Sequence, residues 1–164
     1  MLRHPRVHYV GDASAGALHD ERFAPAHVIV VWGLPAIPLY DRIFELSRRM
    51  IEKERVLNRR YSLITDLSGA PRPSPKAREY MRGCVNSLPP YEDLLRSNYL
   101  VTSDLLVRGA ISAMKLFFNR PLDPVPVPTL TVAVERVCSD FKAEGVMLSP
   151  EFSPSRYSLP PPAR

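Results

Sequence analysis

The stretch HVIVVW, residues 27–32, decides the fold of this 164-residue chain. Its apolar, mostly β-branched residues follow one another without polar alternation, a pattern typical of a strand buried on both faces. Gly33 and Pro35 end the run. Because such a strand needs cover on both sides, the stretch predicts a sheet with helices packed on its two faces.

The residues after this strand predict an amphipathic helix of about five turns. Pro38 suits a first helical turn, because its ring fixes φ and its missing N–H has no partner there. The apolar residues recur at the spacing of one helix face, and charged residues fill the opposite face: Leu39, Ile43, Leu46 and Met50 form the apolar stripe. This helix should therefore pack one face on the sheet.

The same alternation continues along the chain. Short apolar or β-branched runs predict strands at residues 6–11, 61–66, 99–102 and 129–133, and residues 13–25 are expected to be a connection or a hairpin return. Helices are predicted from Ser74, over residues 105–118 and over residues 134–144. The order predicts an α/β fold with a mixed, mostly parallel sheet of four to five strands and about four helices.

The domain organisation follows from length and composition. A chain of 164 residues with 45% hydrophobic and 24% charged residues suits one globular domain, which we place at residues 1–145. Residues 146–164 are rich in proline and serine (SPEFSPSRYSLPPPAR at their end). This composition predicts a flexible tail.

Charge and hydropathy indicate whether a nucleic acid or a membrane is to be expected as a partner. The net charge is +5, but arginine supplies 18 of the 22 basic residues, and these are scattered along the chain. A nucleic-acid-binding surface should cluster its basic residues, so no nucleic-acid partner is expected. No apolar stretch approaches the ~20 residues that span a bilayer, and no signal peptide is visible. We therefore expect a cytoplasmic protein without a membrane partner.

No self-contained catalytic or metal site stands out. Glycine-rich phosphate loops and nucleophile motifs are absent from the sequence. All four histidines fall within the first 27 residues, with no cysteine or acidic pattern beside them: His4, His8, His19 and His27. We expect them to be exposed or at a strand edge. The sequence therefore predicts no catalytic residue, no bound metal, no cofactor and no enzymatic activity.

Two features carry a functional hypothesis. The first is Asp66-Leu67-Ser68-Gly69, followed by Ser74, where a strand ends and a helix begins. Ligands and regulatory contacts gather at this edge of α/β sheets, and a phosphate on Ser74 would lie against a helix N-terminus. Ordinary turn and capping chemistry is the simpler reading of the same residues. The second feature is the apolar segment 105–118, which is either a core helix or an interface.

With these elements in place, residues 27–144 resemble the STAS domain family, which includes bacterial anti-sigma-factor antagonists. The resemblance is carried by the strand 27–32, the stretch LITDLSG at residues 63–69 and the strand–helix unit 99–118. It implies a four- or five-stranded sheet, no catalysis and regulated signalling contact with another protein. Family antagonists carry a phosphorylatable serine in a D-S-[ST]-G motif at a helix start. Here Ser68 lies in the similar letters, whereas Ser74 holds the helix-start position.

The best hypothesis is thus a non-enzymatic regulatory module that contacts another protein. Its partner-contact or phospho-switch candidates are Asp66, Ser68, Gly69 and Ser74. The alternative is a small ligand- or lipid-binding protein with an apolar pocket beside the helix 105–118. An enzyme whose site is assembled from distant loops, and a homodimer formed through that helix, also stay open.

Overall fold

The computed structural model describes residues 4–102 and 124–160. The helix predicted at residues 105–118 lies outside the described residues. The elements in chain order are β1 (Val7–Gly11), β2 (Gly16–Asp20), β3 (Ala26–Trp32), α1 (Ile37–Val56), β4 (Tyr61–Gly69), α2 (Pro75–Asn86), β5 (Leu95–Val101), β6 (Val125–Val127) and α3 (Leu130–Ala143). Within these described ranges, no helix combines the length and apolar character that crossing a bilayer requires.

The described strands form one six-stranded sheet in which spatial order follows chain order. β1, β2 and β3 pair antiparallel, and β3 through β6 pair parallel. The prediction of a mixed, mostly parallel α/β sheet is confirmed, with more strands than expected. The stretch 13–25, expected to be a connection or a hairpin return, contains β2, which returns antiparallel beside β1 and also pairs with β3.

β3 lies where the sheet changes from antiparallel to parallel pairing, and it is covered on both faces as predicted. Val28 belongs to a core with Val134 and Phe141 of α3 on one face. Ile29 and Val31 belong to a second core, on the other face, that includes residues of α1. Successive side chains of a strand point to opposite faces, so one continuous apolar run supplies both cores.

The two helices on the second face begin as the sequence predicts. α1 spans 20 residues with a proline at its start, and its buried residues include Tyr40, Ile43 and Met50. α2 begins after Ser74, whose hydroxyl accepts a hydrogen bond from the N–H of Ala77 at 3.2 Å. This bond satisfies one of the amides that a helix start leaves unpaired.

The prediction of a last strand at residues 129–133 is wrong. Helix α3 already begins at Leu130, because the hydroxyl of Thr129 accepts a hydrogen bond from the N–H of Val132. Local β propensity yields to the buried stripe of α3, in which Val134, Val137 and Phe141 recur at helical spacing. β6 forms instead from the preceding proline-rich stretch. It ends the described strand order, where a residue without an N–H is tolerated.

Residues 146–160, which we call the C-terminal strap, lie against the domain. Phe152 is 2% exposed and belongs to the core on the α3 face, where its ring centroid lies 5.4 Å from that of Phe23. The hydroxyl of Tyr157 donates to Asp20, and Arg22 donates to the carbonyl of Ser158. This placement differs from the flexible tail expected for residues 146–164. Composition is a poor guide to this segment, because two aromatic anchors suffice to hold a stretch otherwise rich in proline and serine.

Replacing Phe152 with alanine should cost about 3–5 kcal/mol of unfolding free energy, because the substitution leaves a cavity in a closed core. The matched control is Met147→Ala in the same strap, whose side chain is 93% exposed and should matter by less than about 0.5 kcal/mol. Urea denaturation followed by circular dichroism measures both. Equal, small effects for the two variants would contradict the packing of the strap.

Candidate functional site

The carboxyl ends of β3 and β4 form the edge of the sheet to which the sequence points. Trp32 pairs with Gly69, and the N–H of Gly33 donates to the carbonyl of Gly69 at 2.9 Å. Gly33 has a φ of +63°, which suits glycine, and its backbone passes close to that of Ser14. Leu34, the next residue, is 57% exposed. We call the exposed residues Leu34, Ser68, Gly69 and Ser74 the display edge.

Three of the four candidate residues lie together at the end of β4. Asp66 is 4% exposed, and its Oδ1 accepts a hydrogen bond from the N–H of Ser68 at 2.9 Å. Ser68 and Gly69 are exposed and belong to the strand, although the sequence predicted a loop there. The Asp66 carboxylate therefore holds the backbone at the strand end, and the Ser68 side chain is the group presented outward.

Ser74 stands apart from these three, at the far end of the loop 70–74. It is exposed, and its hydroxyl caps its own helix. Lys76 and Arg78 are exposed on the first turn of α2. The serine that the resemblance places at a helix start is thus a capping residue within reach of positive charge and of backbone amides.

A second group of side chains escaped the sequence analysis. Nε2 of His27 lies 3.1 Å from Oε1 of Glu54, and Nδ1 of His27 lies 3.1 Å from Nε2 of His19. Arg59 donates to both Glu54 oxygens, from Nε at 2.5 Å and from NH2 at 2.7 Å. His27 and Glu54 are fully buried and His19 is 3% exposed, so the expectation of exposed or strand-edge histidines is wrong for two of the four.

Three further residues extend this group toward the surface. Nε2 of His8 lies 2.9 Å from Oε1 of Glu21, and Lys53 donates to Oε2 of Glu21 at 2.8 Å. His8 pairs directly with His19 across β1 and β2, and their ring centroids are 5.9 Å apart. We call the seven residues the polar cluster: His8, His19, Glu21, His27, Lys53, Glu54 and Arg59.

The surroundings strongly lower the pKa of His19 and the pKa of Glu54. Burial disfavours the charged imidazole and, with the neighbouring His27, lowers the pKa of His19 to about 3. Burial acts to raise the pKa of Glu54, but hydrogen bonds from Arg59 and His27 outweigh it and lower that pKa to about 2. At neutral pH the cluster therefore contains a neutral His19 and an ionised Glu54.

The ionised state of Glu54 determines which atom donates in its hydrogen bond with His27. An ionised carboxylate only accepts, so Nε2 of His27 carries the proton toward Glu54. The other ring nitrogen of His27, Nδ1, lies within hydrogen-bond distance of Nε2 of His19. Because His27 and Glu54 have no exposed surface, no substrate reaches them in this conformation. Their role in the closed structure is to attach the last turn of α1 to the sheet.

The cluster escaped the sequence analysis because its members are far apart in the chain. Only strand register brings His8 beside His19, and only the packing of α1 brings Glu54 onto His27. The available signal was a histidine opening the most apolar strand of the chain. Across residues 4–102 and 124–160, no three histidine, cysteine or acidic side chains are arranged to hold a metal ion.

The alternative function, ligand binding in an apolar pocket beside the helix 105–118, concerns residues outside those that the structure describes. In the described part there is an open groove of ≈ 270 Å³ beside the C-terminal strap. It is lined by Arg22, Phe23, Glu151, Arg156 and Ser158. Its lining is mostly polar and charged, so this groove does not provide the apolar pocket that a lipid requires.

Replacing Glu54 with glutamine should destabilise the fold, because it leaves Arg59 and His27 facing a neutral amide in a buried site. Removing one partner of a buried ion pair costs about 3–5 kcal/mol of unfolding free energy. Because Arg59 is only half-buried and keeps part of its hydration, we expect a loss of about 3 kcal/mol. Glu52→Gln, on the exposed side of α1, is the control and should change stability by less than about 0.5 kcal/mol. Thermal and urea unfolding give both values; an unchanged midpoint for Glu54→Gln would contradict this role.

Comparisons with known proteins found matches among the solved structures. No protein-family profile and no curated protein matches the chain. Among solved structures that match is an anti-sigma factor antagonist from Mycobacterium paratuberculosis, at 12% sequence identity and a TM-score of 0.45. The match covers 83% of this chain and 98% of that chain.

Proposed function

We propose that this chain is a non-enzymatic regulatory module that binds another protein through the display edge. The observation that carries the proposal is the division of its polar groups. Among the described residues, His19, His27 and Glu54 are buried and lie within hydrogen-bond distance of one another in a chain. The serines Ser68 and Ser74 are exposed at the ends of regular elements.

The loop between β4 and α2 suits a binding surface. It carries Pro71 and Pro73, and Pro75 opens the helix that follows. Each proline fixes one φ angle, so little conformational freedom is lost when a partner binds. Exposed Leu34 adds apolar contact area on the neighbouring β3 loop.

The charge of this surface indicates the kind of partner. Lys76 and Arg78 are exposed on the first turn of α2, where the helix dipole is also positive. Acidic side chains on a partner would be attracted to this end, which raises the rate of association. We therefore expect the partner surface to be acidic around a small apolar centre.

Of the two serines, Ser74 is the better phosphorylation candidate. A phosphate on Ser74 would lie at the start of α2, where the helix dipole and the exposed Lys76 and Arg78 favour a negative charge. A phosphate on Ser68 would lie near the buried carboxylate of Asp66, which already bonds the Ser68 N–H. Like charges at that distance repel each other, so modification at Ser68 would disturb the end of β4.

Aspartate at residue 74 should abolish capture of the partner while leaving the fold intact. Aspartate caps helices as well as serine does, so Ser74→Asp adds charge at the display edge without removing the cap. Wild type, Ser74→Asp and Ser68→Asp would be used to capture proteins from native lysate, read by mass spectrometry. The control is Ser155→Asp, an equally exposed serine on the C-terminal strap.

A protein recovered by wild type and by Ser155→Asp, but lost with Ser74→Asp, is the expected result. Recovery that is equal for all variants would show that the partner does not use this edge. A small molecule or lipid that co-purifies in place of a protein would favour the ligand-binding alternative. A cytoplasmic location, the absence of a nucleic-acid partner and a homodimer stay predictions.

A further inference from the structure

The charges of the polar cluster balance only when its imidazoles are neutral. Two carboxylates, Glu21 and Glu54, face two permanent cations, Lys53 and Arg59. Each carboxylate already bonds a cation, so no negative charge is left to compensate a third positive one. Any proton taken up by a histidine of the cluster therefore leaves it with a net positive charge.

The interior of the cluster leaves no room to hydrate that charge. His19 is 3% exposed and His27 is fully buried, and both ring nitrogens of His27 are already within hydrogen-bond distance of a partner. The ring of Tyr61 lies against His27 at 5.7 Å between centroids. A charged imidazole in this position would keep little of its hydration, which is costly in a low-dielectric site.

Water nevertheless reaches one end of the cluster. The side chain of His8 is 43% exposed, and its ring neighbours that of His19. The groups facing His19 are His8 on β1, Glu21 after β2, His27 on β3, and Lys53 and Glu54 on α1. A small separation of β2 from the last turn of α1 would let solvent reach His19.

We propose that the polar cluster is an acid-sensitive clamp whose protonation releases the β1–β2 hairpin from the last turn of α1. The core on the α3 face contains no residue of β1 or β2 and can stay intact, whereas the core on the α1 face would lose Val10 and Ala17. The core on the α3 face includes Val28, Ile64 and Val101, from β3, β4 and β5. Opening therefore begins at one end of the described strand order, and the core on the α3 face does not take part in it.

The pH dependence follows from proton linkage. Burial lowers the pKa of His19 from its ordinary 6.5 to about 3, so the open form binds one more proton than the closed form between these values. The opening equilibrium should therefore rise about tenfold for each unit of pH lost below 6.5. The lowered pKa of Glu54 adds to the effect only below its ordinary value of 4.5. Above pH 6.5 neither group contributes.

Hydrogen exchange read by mass spectrometry at pH 7.5 and 5.0, corrected for intrinsic exchange rates, tests the clamp. Amides of β1, β2 and the last turn of α1 should lose about thirtyfold in protection, while those of β4 and β5 keep theirs. In His19→Gln the amide can still donate to His27 but cannot take up a proton, so this pH dependence should vanish. His4→Gln, an exposed histidine outside the cluster, should behave like wild type.

A loss of protection spread evenly over all strands, or an unchanged pH dependence in His19→Gln, would overturn the proposal. If His19→Gln does not fold, ¹⁵N spectra of the histidine rings in the wild-type protein replace it. The expected result is a neutral, singly protonated His19 ring in the folded protein at pH 6. A doubly protonated His19 ring in the folded protein at that pH would overturn the clamp.

Discussion

The hydrogen bond between His27 and Glu54 is the constraint on which the arrangement of this domain depends. Both side chains are fully buried, one on β3 and the other on the last turn of α1. A buried carboxylate without partners would be far more costly than any apolar contact it replaces. Helix α1 can therefore dock on the sheet only where Glu54 meets His27 and Arg59. Apolar packing alone would tolerate a shift of the helix, whereas this pair does not.

β3 connects the polar cluster with the display edge. His27 lies at its start, inside the polar cluster, and Trp32 lies at its end, beside the display edge. Five residue steps of a strand separate them, about 16 Å. One end of the strand is thus held by charged hydrogen bonds, and the other supports an exposed surface through the bond between Gly33 and Gly69.

Sequence reasoning found the parts of the fold that depend on local pattern. β3, α1 and the start of α2 at Ser74 follow from an apolar run, a helical stripe and a capping residue. It left β2 open as a connection or a hairpin return, and it missed the start of α3 at Leu130, where burial overrides propensity. It also missed the polar cluster, because no spacing in the chain announces a contact made across three strands and a helix. The candidates Asp66, Ser68, Gly69 and Ser74 could be named because a strand end and a helix start are local features, and their role stays a prediction.

A double-mutant cycle on His27 and Glu54 tests this dependence most directly. Unfolding free energies would be measured for wild type, Glu54→Gln, His27→Gln and the double variant. We expect a coupling energy of about 1–3 kcal/mol, because each single substitution leaves a buried partner unsatisfied and the double substitution removes that penalty once. Effects that add within about 0.5 kcal/mol would show that the two side chains are energetically independent. Helix α1 would then be positioned by apolar packing alone, and the pair would not be the constraint that fixes its place on the sheet.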